Sequence, residues 1–391
     1  MPHSISPLTP PARTLLGPGP SDVAPSVLGA LSRPTLGHLD PAFLQVMDEV
    51  RGMLRTVYAT QNELTFPMSG TGSAGMETCF VNLLEPGDRA LIGINGVFGT
   101  RMAEVARRAG AEVTEVHAEW GRAIPLEAFR DAAGKGPFKI LATVHAETST
   151  GALQDVDGLR EVADEAGAML VLDCVTSLGG VPVELDRWGV DAAYSGTQKC
   201  LSCPPGLAPV TMSARAQDTI AKRATPVQSW YLDLSLVANY WGSDRAYHHT
   251  APINMLYGLH EALRLVVEEG LKERHARHAR NACAFWSGLE AMGLELSVPA
   301  TERLIPLTSI RVPDGVEEAR VRRFLLERYD VEIGGGLGPL AGKVWRVGLM
   351  GAGSTRRNVE LALTALAAAL ADQGCAPRTD GLAAAHASYA E

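Results

Sequence analysis

From about Leu64 to Met212 the sequence alternates short apolar runs with stretches of helical period, the pattern of parallel strands joined by helices. Strands are expected over 89–94, 112–116, 139–144, 168–172, 192–195 and 208–212, and helices over 73–84, 100–109 and 158–166. A chain patterned this way winds into an α/β sheet whose ligands gather at the carboxyl ends of the strands. Beyond it, a long helical stretch over 253–292 leads to a second pattern: strand 308–312, helix 316–329, strand 345–348 and an Ala/Leu-rich helix 356–371. That order reads as a smaller α+β unit.

A length of 391 residues exceeds what one core usually organises, so two packed domains are expected. The expected division is an arm over 1–20, a large domain over 21–260, a small domain over 261–374 and a frayed tail over 375–391. Six prolines among the first twenty residues rule out a regular helix or a secretory leader there, and no apolar run reaches the ~18 residues of a membrane span. A formal charge of −9 leaves no overall basic field for nucleic acid or anionic lipid. Six sparse cysteines suit a reducing, cytoplasmic setting better than a disulfide framework.

Gly70-Thr71-Gly72-Ser73-Ala74-Gly75 matches G-x-G-x-x-G between an apolar run and a helix. A nicotinamide site also needs an acidic residue about 20 positions on, and the next strand instead ends Ile94-Asn95-Gly96. What survives is a phosphate cradle made of backbone N–H groups with the Thr71 and Ser73 hydroxyls, or a plain glycine turn. One later strand ends Val171-Leu172-Asp173 and the next runs into Ser195-Gly196-Thr197-Gln198-Lys199. An acid and an amine on successive strand ends can be a structural ion pair. Together with an upstream phosphate cradle they supply what pyridoxal 5'-phosphate requires: an amine for its aldehyde, an acid for its ring nitrogen and donors for its phosphate.

The strings LLGPGP (15–20), SGTGSAGMET (69–78), HAETSTG (145–151), DCVTSLGG (173–180), SGTQKCLSCPPG (195–206), YHHT (247–250) and GGLGPLAGKVWRVGLMG (335–351) resemble the alanine–glyoxylate and serine aminotransferases, class-V members of the fold-type I pyridoxal-phosphate enzymes. The resemblance spans most of the chain. It implies a large domain built on a mostly parallel seven-stranded sheet flanked by helices, and a smaller α+β C-terminal domain. It also implies Lys199 as the residue bonded to the cofactor aldehyde and Asp173 as the partner of the ring nitrogen. Gly72, Ser73 and Gln198 fall at the phosphate, Thr148 at the ring oxygen, and Phe98 where an aromatic ring stacks on the cofactor. Phe98 stands where relatives often carry Trp or Tyr, and Ser73 where some carry His. Arg346 matches the clamp for the substrate carboxylate. Tyr247 and Thr250 match residues that reach the phosphate of a neighbouring subunit, so a homodimer is implied.

The activity implied is transfer of an amino group from alanine or serine to glyoxylate, with ureidoglycine–glyoxylate and serine–pyruvate transamination as alternatives. A nicotinamide-dependent dehydrogenase and a silent binding scaffold are the readings from other classes. His38 lies on an early segment able to approach the site or to serve structure alone. Cys200 and Cys203 form a C-x-x-C without a second pair, read as packing residues. His275 and His278, set among Arg274, Arg277 and Arg280 at helical spacing, read as a solvated helix face. No metal is expected. The run 336–343 fails as a nucleotide loop, because Leu337 stands where a glycine is required and Val344 where a hydroxyl is.

Overall fold

The computed structural model describes residues 6–390, so the first five residues of the arm and the final residue of the tail lie outside the described part. Seven strands form the principal sheet: β1 (Leu64–Ser69), β2 (Arg89–Ile94), β3 (Glu112–His117), β4 (Ile140–Val144), β5 (Met169–Asp173), β6 (Ala192–Tyr194) and β7 (Leu207–Met212). Their order across the sheet is β1-β7-β6-β5-β4-β2-β3, with β7 alone running antiparallel to its neighbours. Every residue of β4 and β5 is buried, as near-continuous apolar strands covered on both faces must be.

The flanking helices start and stop for local reasons. Helix α1 (Pro41–Tyr58) is capped by Asp40, whose carboxylate accepts the Ala42 N–H, and has proline in its first turn; it buries Phe43, Met47, Val50, Leu54 and Val57 at helical spacing. Helix α2 (Gly72–Leu83) follows β1, and α3 (Val97–Arg108) follows β2. Leu159–Glu165 forms α4 before β5. The helical stretch expected over 253–292 is two helices, α5 (Ile253–Glu269) and α6 (Leu271–Ala291). Gly270 separates them with φ +80, a conformation that breaks the regular ladder and favours glycine.

A second, three-stranded sheet has the order β8-β10-β9, from β8 (Leu307–Arg311), β9 (Gly334–Gly335) and β10 (Val344–Gly348), all antiparallel. Helices α7 (Glu318–Tyr329) and α8 (Arg356–Asp372) pack with it around a core that includes Phe285, Trp345, Val347 and Leu366. This core is distinct from the large one built on the principal sheet. Leu16 of the arm belongs to it, and Thr14–Leu15 pairs in parallel with Val331–Glu332.

Two expectations are corrected. The tail does not fray: Gly381–Ala390 forms α9, with Gly381 and Ala385 buried and the Tyr389 hydroxyl donating to Asn281 Oδ1 at 2.7 Å. Gly381 closes directly on Gly288 of α6, where a Cβ would meet a backbone oxygen at 2.7 Å, so small residues let the two helices touch. The basic stretch of α6 is a solvated face only in part: Arg280 is exposed and His275 and Arg277 are half-buried, but Arg274 and His278 are not on the surface. His278 is 1% exposed and Arg274 is buried as well. Arg274 donates from Nε to the Gly179 carbonyl at 2.9 Å and from Nη2 to the Cys200 carbonyl at 2.6 Å, and pairs with Glu269. His278 donates from Nδ1 to the Arg274 carbonyl at 2.8 Å, and its Nε2 accepts the Gly351 N–H at 2.9 Å. The charge pattern alone marked a surface; carbonyls from distant loops supply the partners that make burial tolerable.

Candidate active site

Three parallel strands end together at one edge of the sheet, with Val144, Asp173 and Tyr194 in register across β4, β5 and β6. Asp173 is 3% exposed. Its Oδ1 accepts the Val175 N–H at 2.8 Å and its Oδ2 accepts the Tyr194 hydroxyl at 2.9 Å. Burial raises its pKa to about 7, against the pull of those two donors.

Between β6 and β7 the chain makes a buried loop that carries Gln198 and Lys199. Lys199 is 8% exposed, and its amine donates to the Pro18 carbonyl. Burial, helped by the nearby charge of Arg346, pulls its pKa down to about 8. The arm is fastened over this lysine: the Ser21 hydroxyl donates to the Lys199 carbonyl at 2.7 Å and the Ser21 N–H to the Gln198 carbonyl at 2.9 Å. Gly19 has φ +104, and a Cβ there would fall 2.5 Å from Lys199 Nζ, so the arm can pass only as glycine.

Helix α2 begins where β1 ends, and its N-cap Thr71 makes no side-chain capping bond, so the first N–H groups are available to an anion. Gly72 lies against the 195–196 backbone, where a Cβ on it would make an ordinary contact, 3.6 Å from Gly196 Cα. Gln198 Oε1 sits beside Gly196, buried and without a hydrogen-bond partner.

A cavity of ≈ 240 Å³ joins these parts. Gly72, Ser73 and Gln198 line one portion of it, and Phe98, Thr148, Asp173 and Lys199 contribute the rest of the residues singled out in the sequence. Arg346, at the middle of β10, is buried beside it. Its Nε donates to the Gly335 carbonyl at 2.8 Å and its Nη1 to the Thr148 carbonyl at 2.9 Å. Tyr247 and Thr250 are not brought to this cavity. Tyr247 is 61% exposed, its hydroxyl 3.4 Å from Thr250 Oγ1, and the His38 ring stands 5.0 Å from the Tyr247 ring. Cys200 and Cys203 are buried, and burial pushes both thiols up to about 12, which suits packing.

Some residues of the site escape sequence reasoning. Tyr194 reads as one more apolar strand residue until register sets it opposite Asp173. Glu147 is wholly buried, accepting from the Phe98, Gly99 and Ser149 N–H groups at 3.0, 3.3 and 3.0 Å and from the Ser149 hydroxyl at 2.6 Å. It pins the first turn of α3, which carries Phe98. Arg101 lines the cavity one helical turn beyond Phe98. A carboxylate inside an otherwise small and hydroxylic string, and a helical spacing of three, were the available signals.

A mixed seven-stranded sheet with a buried lysine, a buried acid and an open helix terminus at one edge, beside a smaller α+β unit, defines a fold-type I transferase. The family of class-V aminotransferases matches residues 26–351. Alanine–glyoxylate aminotransferase of Callithrix jacchus is 41% identical over 94% of this chain and 89% of its own length. A crystal structure of alanine–glyoxylate aminotransferase from Nostoc sp. superposes with a TM-score of 0.93 at 51% identity, covering 94% of this chain and 97% of that one. One of ureidoglycine–glyoxylate aminotransferase from Bacillus subtilis gives a TM-score of 0.96 at 40% identity, covering 98% and 100%. The chain belongs to the class-V aminotransferases and is a pyridoxal-phosphate-dependent transaminase acting on amino and oxo acids. That membership sets aside the dehydrogenase reading of the glycine turn. Among the described residues no helix is long and apolar enough to cross a membrane.

Proposed function

We propose that the cavity holds pyridoxal 5'-phosphate and that the chain moves an amino group from alanine or serine to glyoxylate, giving pyruvate or hydroxypyruvate and glycine. The convergence of Lys199, Asp173 and the Gly72–Ser73 turn on one cavity carries the cofactor assignment. The donor set fits the group. A buried amine suits an aldehyde, a buried acid suits a pyridine nitrogen, and the uncapped start of α2, with the Gln198 amide turned to present its NH2, suits a phosphate. Phe98 would flank the ring, and Thr148 would bond its oxygen.

When bound, the cofactor supplies an electron sink for the negative charge that develops at the substrate Cα. Lys199 would be the base whose Nζ takes the proton from the substrate Cα and gives it back at the carbon of the cofactor's aldehyde. A pKa of about 8 keeps part of its population unprotonated at neutral pH. Asp173 holds a proton on the ring nitrogen. Arg346 orients the carboxylate: with Nε and one Nη1 hydrogen engaged by carbonyls, its remaining Nη1 and Nη2 hydrogens form a fork for two parallel bonds.

A homodimer completes the site in this reading, with Tyr247 and Thr250 extending to the cofactor phosphate of a second copy. Tyr247 is exposed and lies outside its own cavity, just before His248, which stacks on exposed Trp230 at 4.2 Å, and His249, whose ring is 5.0 Å from that of exposed Tyr231. Alanine or serine with glyoxylate accords with the alanine–glyoxylate relatives. The similarity to the Bacillus enzyme favours a second reading, ureidoglycine as donor to glyoxylate, while serine–pyruvate transamination shares the same framework. A panel of alanine, serine and ureidoglycine against glyoxylate and pyruvate separates these. The proposal expects visible absorbance from the holoprotein, bleaching by the preferred donor and parallel lines in two-substrate plots. Intersecting lines, or no turnover of alanine and serine with glyoxylate, would refute it.

A further inference from the structure

The groups around Gly72 can donate hydrogen bonds but bring no formal charge, since Thr71, Ser73 and Gln198 are all neutral. A phosphate monoester carries nearly two negative charges at neutral pH, and the start of one helix offsets only about half a charge. Taking such an anion out of water calls for a cation. Of the two cations that line the cavity among the described residues, Lys199 is turned to the Pro18 carbonyl. The other is Arg101.

Arg101 is held where that cation is needed. Its Nη1 donates to Ser73 Oγ at 3.3 Å, and its guanidinium carbon lies 5.0 Å from the centroid of the Phe98 ring. Farther along α3, Arg107 and Arg108 are neutralised by Glu115 and Glu104, whereas Arg101 pairs with no carboxylate among the described residues. Gln198 points to the same spot. With its amide turned over, an orientation of the same shape, the buried unpartnered position beside Gly196, whose backbone packs on Gly72, holds NH2, a donor.

We infer that Arg101 is the cationic ligand of the cofactor phosphate, steadied by the Ser73 hydroxyl and the Phe98 ring. The inference rests on the pyridoxal-phosphate reading above. A guanidinium fork matches phosphate oxygens and remains charged at any working pH. Its contact with Phe98 links phosphate binding to the ring that flanks the cofactor.

The test is titration of cofactor-free, full-length protein with pyridoxal 5'-phosphate, with pyridoxal and with inorganic phosphate. Arg101→Gln should weaken pyridoxal phosphate and inorganic phosphate by about 10- to 100-fold and leave pyridoxal within about twofold. Arg101→Lys should recover much of the loss, and added salt should narrow the gap between wild type and Arg101→Gln. Because Arg101 is exposed and makes no ion pair among the described residues, the thermal midpoint of the cofactor-free variant should stay put, which shows that the fold is intact. Equal weakening of pyridoxal phosphate and pyridoxal would overturn the inference, placing the effect in the Phe98 ring; so would unchanged affinity for both. A wild type that prefers the phosphorylated form, with Arg101→Gln keeping that preference, defeats Arg101 alone. A wild type that binds neither form defeats the cofactor reading with it.

Discussion

Tyr194 and Asp173 stand in register on adjacent parallel strands, and the tyrosine hydroxyl donates to Asp173 Oδ2 at 2.9 Å. This bond and the one from the Val175 N–H favour the ionised acid, while burial opposes it more strongly and leaves the pKa at about 7. Tyr194→Phe removes one favourable contact without changing the ring's packing. The Asp173 pKa should rise by about one to two units, the scale of one hydrogen bond to a charged group. An infrared carboxyl band of the cofactor-free protein, followed against pH and assigned by its loss in Asp173→Asn, reads that shift; an unmoved band rejects the coupling.

Asp173 also gives the cofactor-free protein a pH signature. Its folded pKa lies above the ordinary carboxylate value of about 3.9, so between pH ~4 and ~7 the folded state binds the extra proton. Stability from this group is therefore greatest below pH ~4 and is lost as pH rises through about 7. Urea unfolding should show a loss on the order of 2–4 kcal/mol across that window relative to Asp173→Asn. Parallel curves for the two proteins would contradict it.

Lys199→Ala should abolish both the visible absorbance formed with pyridoxal phosphate and turnover. Lys199 is the amine that lines the cavity, and its carbonyl, held by Ser21, keeps its bond when the side chain is removed. Near wild-type turnover in this variant would disqualify the assigned base.

Arg346→Ala should raise the Michaelis constants of amino and oxo acid alike, by about 10- to 100-fold for a lost charged, hydrogen-bonded contact. Initial-rate measurements at several concentrations of each substrate decide it. Unchanged constants for both would remove Arg346 from carboxylate binding.

His278→Ala should destabilise the fold by about 2–3 kcal/mol, because the buried Gly351 N–H loses its acceptor and the Arg274 carbonyl its second, side-chain donor. Burial holds this histidine neutral, with its pKa lowered to about 3. Urea midpoints compared at neutral pH provide the check, and a change below about 0.5 kcal/mol would show that the bonds contribute little.

Local chemistry made much of the architecture legible. Strands β4 and β5 are continuous apolar runs, and β5 ends in an acid at the point where a wound sheet presents its ligands. Helix α2 announces itself by the glycines before it. The same local logic misread α6, where alternating arginines and histidines have the spacing of a solvated face, and the tail, whose small residues carry little periodicity of their own. In both cases the deciding partners come from elsewhere in the chain: carbonyls at Gly179, Cys200, Gly351 and Ser354 for the basic helix, and the Gly288 surface for the tail.

The order of strands and helices, the edge where an acid and an amine emerge and the glycine turn before α2 follow from the amino-acid sequence by itself, because period and turn chemistry act between near neighbours. Only the tertiary structure decided that Tyr194 faces Asp173, that the arm closes over Lys199, that Glu147 anchors the helix carrying Phe98 and Arg101, and that Arg346 reaches the Thr148 carbonyl. Those pairings join residues remote in sequence. They exist because burial obliges each polar group to find a partner, and packing determines which partner is within reach.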